Sequence, residues 1–86
     1  MDRNSVKNYA EMRIIDSHCH IGITPHFSRT AEELLDEMDN LGIDMAVICP
    51  MGAHVVCKNK EGNELIGNTV KKYPKRFVGL ACVPLV

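Results

Sequence analysis

Short apolar runs alternate with longer amphipathic stretches along this chain of 86 residues. Three of the runs are typical of buried strands, because apolar residues follow one another with few polar interruptions. They lie at about 13–19, 45–49 and 77–83. In the stretches between them, apolar residues recur at the spacing of one helix face. The pattern therefore predicts the order strand, helix, strand, helix, strand.

Local signals mark the ends of both helices. Thr30 and Glu33 have the spacing of a capping box, in which each side chain accepts the other residue's backbone N–H, so the first helix is predicted to begin there. Gly42 fits a left-handed C-terminal cap, and Pro74 ends the second helix. The residues predicted to face the core are Leu34, Leu35, Met38 and Leu41 in the first helix and Leu65, Ile66, Thr69, Val70 and Tyr73 in the second.

Crossovers long enough for a helix predict parallel strands joined by right-handed connections. The predicted fold class is therefore α/β: a three-stranded parallel βαβαβ unit in the order one, two, three, with both helices on one face. Residues 23–29, which Pro25 interrupts, are predicted to form a loop. Residues 1–12 fit a short helix or an irregular arm equally well.

The second face of such a sheet has no covering layer. We expect it to carry the side chains of Ile14, Ala46, Ile48 and Leu80. Parallel strands are normally covered on both faces, so the segment 13–86 matches the first part of a (β/α)₈ barrel better than a finished fold.

Charge and composition exclude several classes of partner. Ten lysine and arginine residues are scattered among eleven aspartate and glutamate residues, so neither nucleic acid nor an anionic membrane is expected as a partner. No apolar run approaches the roughly 18 residues of a membrane span, and a cytoplasmic location is expected. The four cysteines form no Cys-x-x-Cys pair. Those in apolar runs are predicted to be small buried residues, with Cys57 the most exposed.

The candidate chemistry lies at the end of the first strand. His18 and His20 are two residues apart, so on a strand their side chains share one face with Asp16. Imidazole is a common ligand for zinc, iron and manganese, and the pair supplies half of the coordination shell of a divalent ion. Zinc is the default choice. The Asp16 carboxylate either orients an imidazole or the loop through a hydrogen bond, or makes a structural hydrogen bond to the backbone.

Two other histidines lie in predicted loops. His26 and His54 follow the first and second strands, on the side where barrel enzymes form their sites. Both are candidates for contact with a substrate, and the alternative is that they are ordinary exposed histidines. For His18 and His20, the alternative to metal ligation is a hydrogen-bonded or solvent-exposed pair.

Three segments resemble one enzyme family in order and spacing. Residues 14–22 (IIDSHCHIG) look like the first-strand signature of the amidohydrolase superfamily. More narrowly, they resemble the amidohydrolase-related branch that includes aminocarboxymuconate-semialdehyde decarboxylase. Residues 41–48 (LGIDMAVI) and 68–81 (NTVKKYPKRFVGLA) are similar to the second and third strands of that branch.

The resemblance implies a metal-dependent barrel enzyme that hydrolyses or decarboxylates a small carboxylated or amide-like compound. His18 and His20 match the first-strand metal ligands of that family. Its further ligands come from later strands, which these 86 residues do not include. The chain is therefore expected to be the N-terminal portion of such an enzyme and to be inactive in isolation.

A non-catalytic role is the alternative. A small βα module with exposed strands is able to associate with itself or to pair with a complementary chain. The expected partners are thus a small-molecule substrate in the first case and another polypeptide in the second.

Overall fold

The computed structural model of the chain describes residues 12–25, 27–51 and 59–83. The predicted N-terminal arm at 1–12 therefore lies outside the described residues, apart from Met12. The strands and helices are β1 (Ile15–His20), β2 (Gly22–Thr24), β3 (Phe27–Arg29), α1 (Ala31–Leu41), β4 (Met45–Cys49), α2 (Asn59–Lys72) and β5 (Phe77–Gly79). No helix in these ranges is long and apolar enough to cross a membrane.

The predicted parallel sheet is confirmed. Its strand order is β1-β4-β5, and both neighbouring pairs are parallel. The third strand is shorter than the apolar run that predicts it, although Leu80 continues the pairing by donating its backbone N–H to the Ile48 carbonyl at 2.9 Å.

Both helices contribute to one buried cluster on one face of the sheet. The cluster takes residues from β1 and the position after it, from both helices, and from β4 and β5. Its members are Cys19, Ile21, Leu34, Met38, Ala46, Ile48, Ile66 and Phe77. Gly79 shows how closely α2 approaches, because a Cβ there would lie 2.6 Å from Cγ2 of Ile66. This face is therefore a close-packed core.

The expectation that Ala46 and Ile48 lie on the uncovered face is wrong. Both side chains are fully buried in the cluster. The residues between and beside them, Met45, Val47 and Cys49, are half-buried and point to the other side. Since every residue of β4 is apolar or a cysteine, hydrophobic pattern alone does not distinguish its two faces.

We call the side of the sheet opposite the buried cluster the open face and define it by His18, His20, Val47, Cys49 and Val78. Val47 is in register with Val78, and His20 is in register with Cys49. Val78 is 46% exposed. The open face thus combines apolar side chains with the histidine pair.

The predicted loop at 23–29 is instead an antiparallel ribbon of β2 and β3. The Thr24 hydroxyl closes its turn, since it accepts the Phe27 backbone N–H at 2.9 Å and donates to the Phe27 carbonyl at 3.0 Å. Pro25 lies in the turn itself, which is a usual position for proline, so it does not interrupt the pairing. Gly22 has a φ of 141°, a value open to glycine, where the chain leaves β1 for the ribbon.

The predicted caps of α1 are confirmed. The Thr30 hydroxyl accepts the Glu33 backbone N–H, and the Glu33 carboxylate accepts the Thr30 backbone N–H, each at 3.1 Å. Gly42 adopts a left-handed conformation with a φ of 73°. The prediction that Leu41 faces the core is wrong, because it is 70% exposed and Ile43, just past the cap, packs against the cluster.

Candidate metal site

His18 and His20 come together at the carboxyl end of β1. Their Nε2 atoms lie 2.9 Å apart, and their rings meet edge to face with centroids 4.8 Å apart. The His18 side chain is exposed, whereas His20 is half-buried. The two rings thus form a hydrogen-bonded pair on the open face, the arrangement expected from the sequence as the alternative to metal ligation.

A backbone carbonyl fixes the tautomer of His20. Nδ1 of His20 lies 3.1 Å from the carbonyl oxygen of Pro50. A carbonyl oxygen only accepts, so Nδ1 carries the proton and Nε2 carries a lone pair. His18 then donates its Nε2 proton to that lone pair. Such a carbonyl contact on the far nitrogen is the usual support of a metal-bound imidazole.

Cys49 is the third member of the group, and sequence reasoning assigned it to the buried residues. One ligand atom from each of His18, His20 and Cys49 lies within 4.8 Å of the others. The three side chains could hold a metal ion. The sequence does contain a signal that could have identified Cys49. His20 and Cys49 each end an apolar run, and the carboxyl ends of parallel strands lie at one edge of a sheet, so the two residues could be expected to lie close together.

The Cys49 thiol is protonated in the absence of a cation. Burial, followed by the nearby Cys82, raises the pKa of the Cys49 thiol above its usual value. Its Sγ lies 3.5 Å from the Cys19 carbonyl oxygen, to which it donates, and 3.4 Å from Nδ1 of His20. The sulfur is thus held beside the imidazole pair.

The expectation that Asp16 shares one face with the two histidines is wrong, because a register shift in β1 makes Asp16 the partner of the buried Ala46. The Asp16 carboxylate accepts the backbone N–H of His18 at 3.0 Å. This hydrogen bond is the largest cause that holds the pKa of Asp16 below its ordinary value, and a hydrogen bond from Cys19 is the second. Burial, then the bond to Asp16, raises the pKa of the Cys19 thiol to about 11. Cys19 therefore belongs to the core and not to the ligand group.

A cleft of about 370 Å³ opens beside the histidines. Its walls are His18, Cys19, His20, Phe27, Arg29 and Met51. Arg29 was not predicted from the sequence: its guanidinium lies 5.6 Å from the centroid of the Phe27 ring and 3.0 Å from the Glu37 carboxylate. The cleft thus places a positive charge and an aromatic ring next to the candidate ligands.

The two loop histidines, His26 and His54, lie outside the described residues, as does Cys57. The candidate roles of His26 and His54 in substrate contact remain predictions.

Comparison with protein-family models, characterised proteins and solved structures found no match to this chain.

Proposed function

We propose that this chain binds a divalent metal ion through His18 and His20 and forms the N-terminal portion of a metal-dependent hydrolase or decarboxylase of the amidohydrolase type. The observation that carries the proposal is the 2.9 Å approach of the two Nε2 atoms at the carboxyl end of a parallel strand. Zinc is the proposed ion, because two imidazoles and a nearby thiol suit it.

The surroundings of the pair support this assignment. The Pro50 carbonyl holds the Nδ1 proton of His20, so Nε2 carries the lone pair that a cation would take over from the His18 proton. Arg29 lines the adjoining cleft, where its guanidinium is paired with the Glu37 carboxylate and has further N–H donors for a substrate carboxylate. A divalent ion supplies Lewis-acid chemistry at such a place: it activates water or polarises a substrate oxygen. The described cysteines are free thiols, in keeping with the proposed cytoplasmic location.

Metal binding is the first test, and calorimetric titration with zinc measures it. The wild-type chain is expected to bind one ion per chain, and the His18→Ala/His20→Ala variant is expected to lose that binding. The matched control is His26→Ala/His54→Ala, which removes the same number of imidazoles and is expected to keep the affinity. Equal uptake by the His18→Ala/His20→Ala variant would contradict the proposal.

The open face favours a second candidate, a βα module that associates with a copy of itself. Its apolar members continue into exposed residues at the strand ends, with Ile15 56% and Leu80 53% exposed. Exposed apolar surface next to sheet edges promotes association. In that case the histidine pair has no catalytic role, and the assembly is insensitive to its replacement.

A further inference from the structure

We propose that Cys49 is a third ligand of the same ion, so that the chain provides a two-nitrogen, one-sulfur site that selects zinc-like ions over magnesium and manganese. The proposal rests on metal binding by His18 and His20 but not on the reaction. It assigns the third ligand to the second strand of the sheet, β4, next to the strand that carries the histidines.

The sheet brings the sulfur to the right place. His20 and Cys49 are register partners on adjacent parallel strands, so their side chains leave the sheet on the same side. Cys49 is outside the core cluster, in contrast to Cys19, which is only 7% exposed. The thiol is therefore directed to the open face, where the histidine nitrogens lie.

The spacing of the three donors is close to that of a bound set. Bonds of about 2.0–2.1 Å to nitrogen and 2.3 Å to sulfur place tetrahedral donors roughly 3.4–3.5 Å apart. The two Nε2 atoms lie 2.9 Å apart as a hydrogen-bonded pair, the sulfur lies 3.4 Å from Nδ1 of His20, and one nitrogen of each imidazole lies within 4.8 Å of the sulfur. To close the set on one ion, the two imidazoles separate and the Cys49 side chain turns from Nδ1 toward Nε2 of His20.

The proton balance of binding is simple. The Cys49 S–H proton leaves to solvent, since thiolate and not thiol is the ligand. His18 remains neutral and moves its proton from Nε2 to Nδ1, so it releases none. One proton is thus released per ion from these three side chains.

The donor set determines which ions bind. Thiolate and imidazole favour zinc and cobalt, whereas magnesium and manganese favour carboxylate, carbonyl and water oxygens. The carboxylate of Asp16 is outside the ligand group and accepts hydrogen bonds from the His18 backbone and the Cys19 thiol. The site is therefore expected to discriminate strongly against the hard ions.

Cobalt absorption tests the third ligand directly. A Co²⁺ titration of the wild-type chain is expected to give a near-ultraviolet thiolate-to-cobalt charge-transfer band. Cys49→Ala is expected to lose the band and to bind cobalt more than about 100-fold more weakly, because loss of outer-shell partners alone costs about 10–100-fold. Excess magnesium or manganese is expected not to displace the ion.

The matched control is Cys82→Ala. The backbone of Cys82 is held by Asn63, which donates to its carbonyl and accepts its N–H at 2.8 Å each, so this half-buried cysteine can lose its sulfur without losing these bonds. The charge-transfer band is expected to persist in this variant. Cys49→Ser keeps the size and hydrogen bonding of the side chain, and it is expected to lose the band in a fold that circular dichroism shows to be intact.

The outcomes separate this inference from the proposed function. Cobalt binding without a charge-transfer band in the wild type overturns the role of Cys49 and leaves the histidine pair standing. A band that Cys82→Ala abolishes and Cys49→Ser retains also overturns it. No cobalt or zinc binding at all overturns both proposals.

Discussion

Gly79 is the residue at which a single added methyl group has the clearest expected effect. Its missing Cβ leaves room for two branched side chains of α2, those of Ile66 and Val70. Gly79→Ala is expected to lower the free energy of unfolding by about 1–3 kcal/mol, because Cγ2 of Ile66 cannot rotate away without repacking. Urea unfolding measures the change.

Gly67→Ala is the matched control for that prediction. Gly67 is exposed within α2, and a Cβ there has no atom within 4 Å. The substitution is expected to stabilise the chain by about 0.5–1 kcal/mol, because alanine loses less backbone entropy in a helix. Equal destabilisation by both alanines would mean that α2 does not pack against β5 as described.

Glu32 gives a prediction on titration. The Tyr73 hydroxyl donates to its carboxylate at 2.7 Å and is the largest cause that holds the pKa of Glu32 below its ordinary value of 4.5. A lowered pKa means that Glu32 contributes stability above about pH 4.5, and this contribution is lost as the pH falls through the folded-state pKa.

Tyr73→Phe is therefore expected to raise the pKa of Glu32 toward 4.5, as followed by NMR titration of the carboxyl carbon. The phenylalanine ring preserves the edge-to-face contact of residue 73 with Phe77 at 6.0 Å. Lys72→Met is the comparison, and its effect is expected to be smaller because the lysine bond is 3.4 Å long and exposed. A larger shift in Lys72→Met would contradict the assignment.

At the scale of elements, the start of α1 depends on a reciprocal pair of hydrogen bonds. Thr30→Ala removes the acceptor of the Glu33 backbone N–H and is expected to cost about 1 kcal/mol, measured as a lower denaturation midpoint in urea. Thr30→Ser keeps a hydroxyl in place and is expected to retain most of the stability. If both variants unfold alike, the capping box does not stabilise this helix.

The strands of the parallel sheet were predicted correctly from their apolar runs, and the ends of α1 from local signals. Thr30, Glu33 and Gly42 mark the ends of α1 because caps act over three or four residues. The ribbon was missed because Pro25 was interpreted as a break in the pattern, whereas it lies in the turn that the Thr24 hydroxyl closes. Cys49 was missed as a ligand because both faces of β4 are apolar, so only the register with β1 reveals its direction.

At the scale of the whole molecule, the described residues form a packed core on one side of the sheet and leave His18 and Val78 exposed on the other. If the open face mediates association, the weight-average mass in light scattering is expected to rise with concentration. Val78→Lys places a charge on that face and is expected to hold the chain as a monomer.

Leu41→Lys is the control for the surface involved. Leu41 is 70% exposed on α1, away from the open face, and its replacement is expected to leave the association unchanged. A monomer at every concentration in the wild type would remove the support for the self-associating module. Loss of association in Leu41→Lys alone would assign the contact to the helices.

A shift of register within β1 has a consequence for how the chain tolerates changes in length. Asp16 is paired with Ala46 and Cys19 with Ile48. Between these two pairs β1 advances by three residues while β4 advances by two, so β1 contains one extra residue. In an unshifted strand, His18 would be the partner of Ile48 and would point into the core. Deletion of Ser17 is therefore expected to straighten β1 without reversing either histidine, and metal affinity should survive it. Deletion of Cys19, which follows the shift, moves His20 into the register position opposite Ile48 and should abolish metal binding. The same strand therefore contains one position that tolerates the loss of a residue and one that does not.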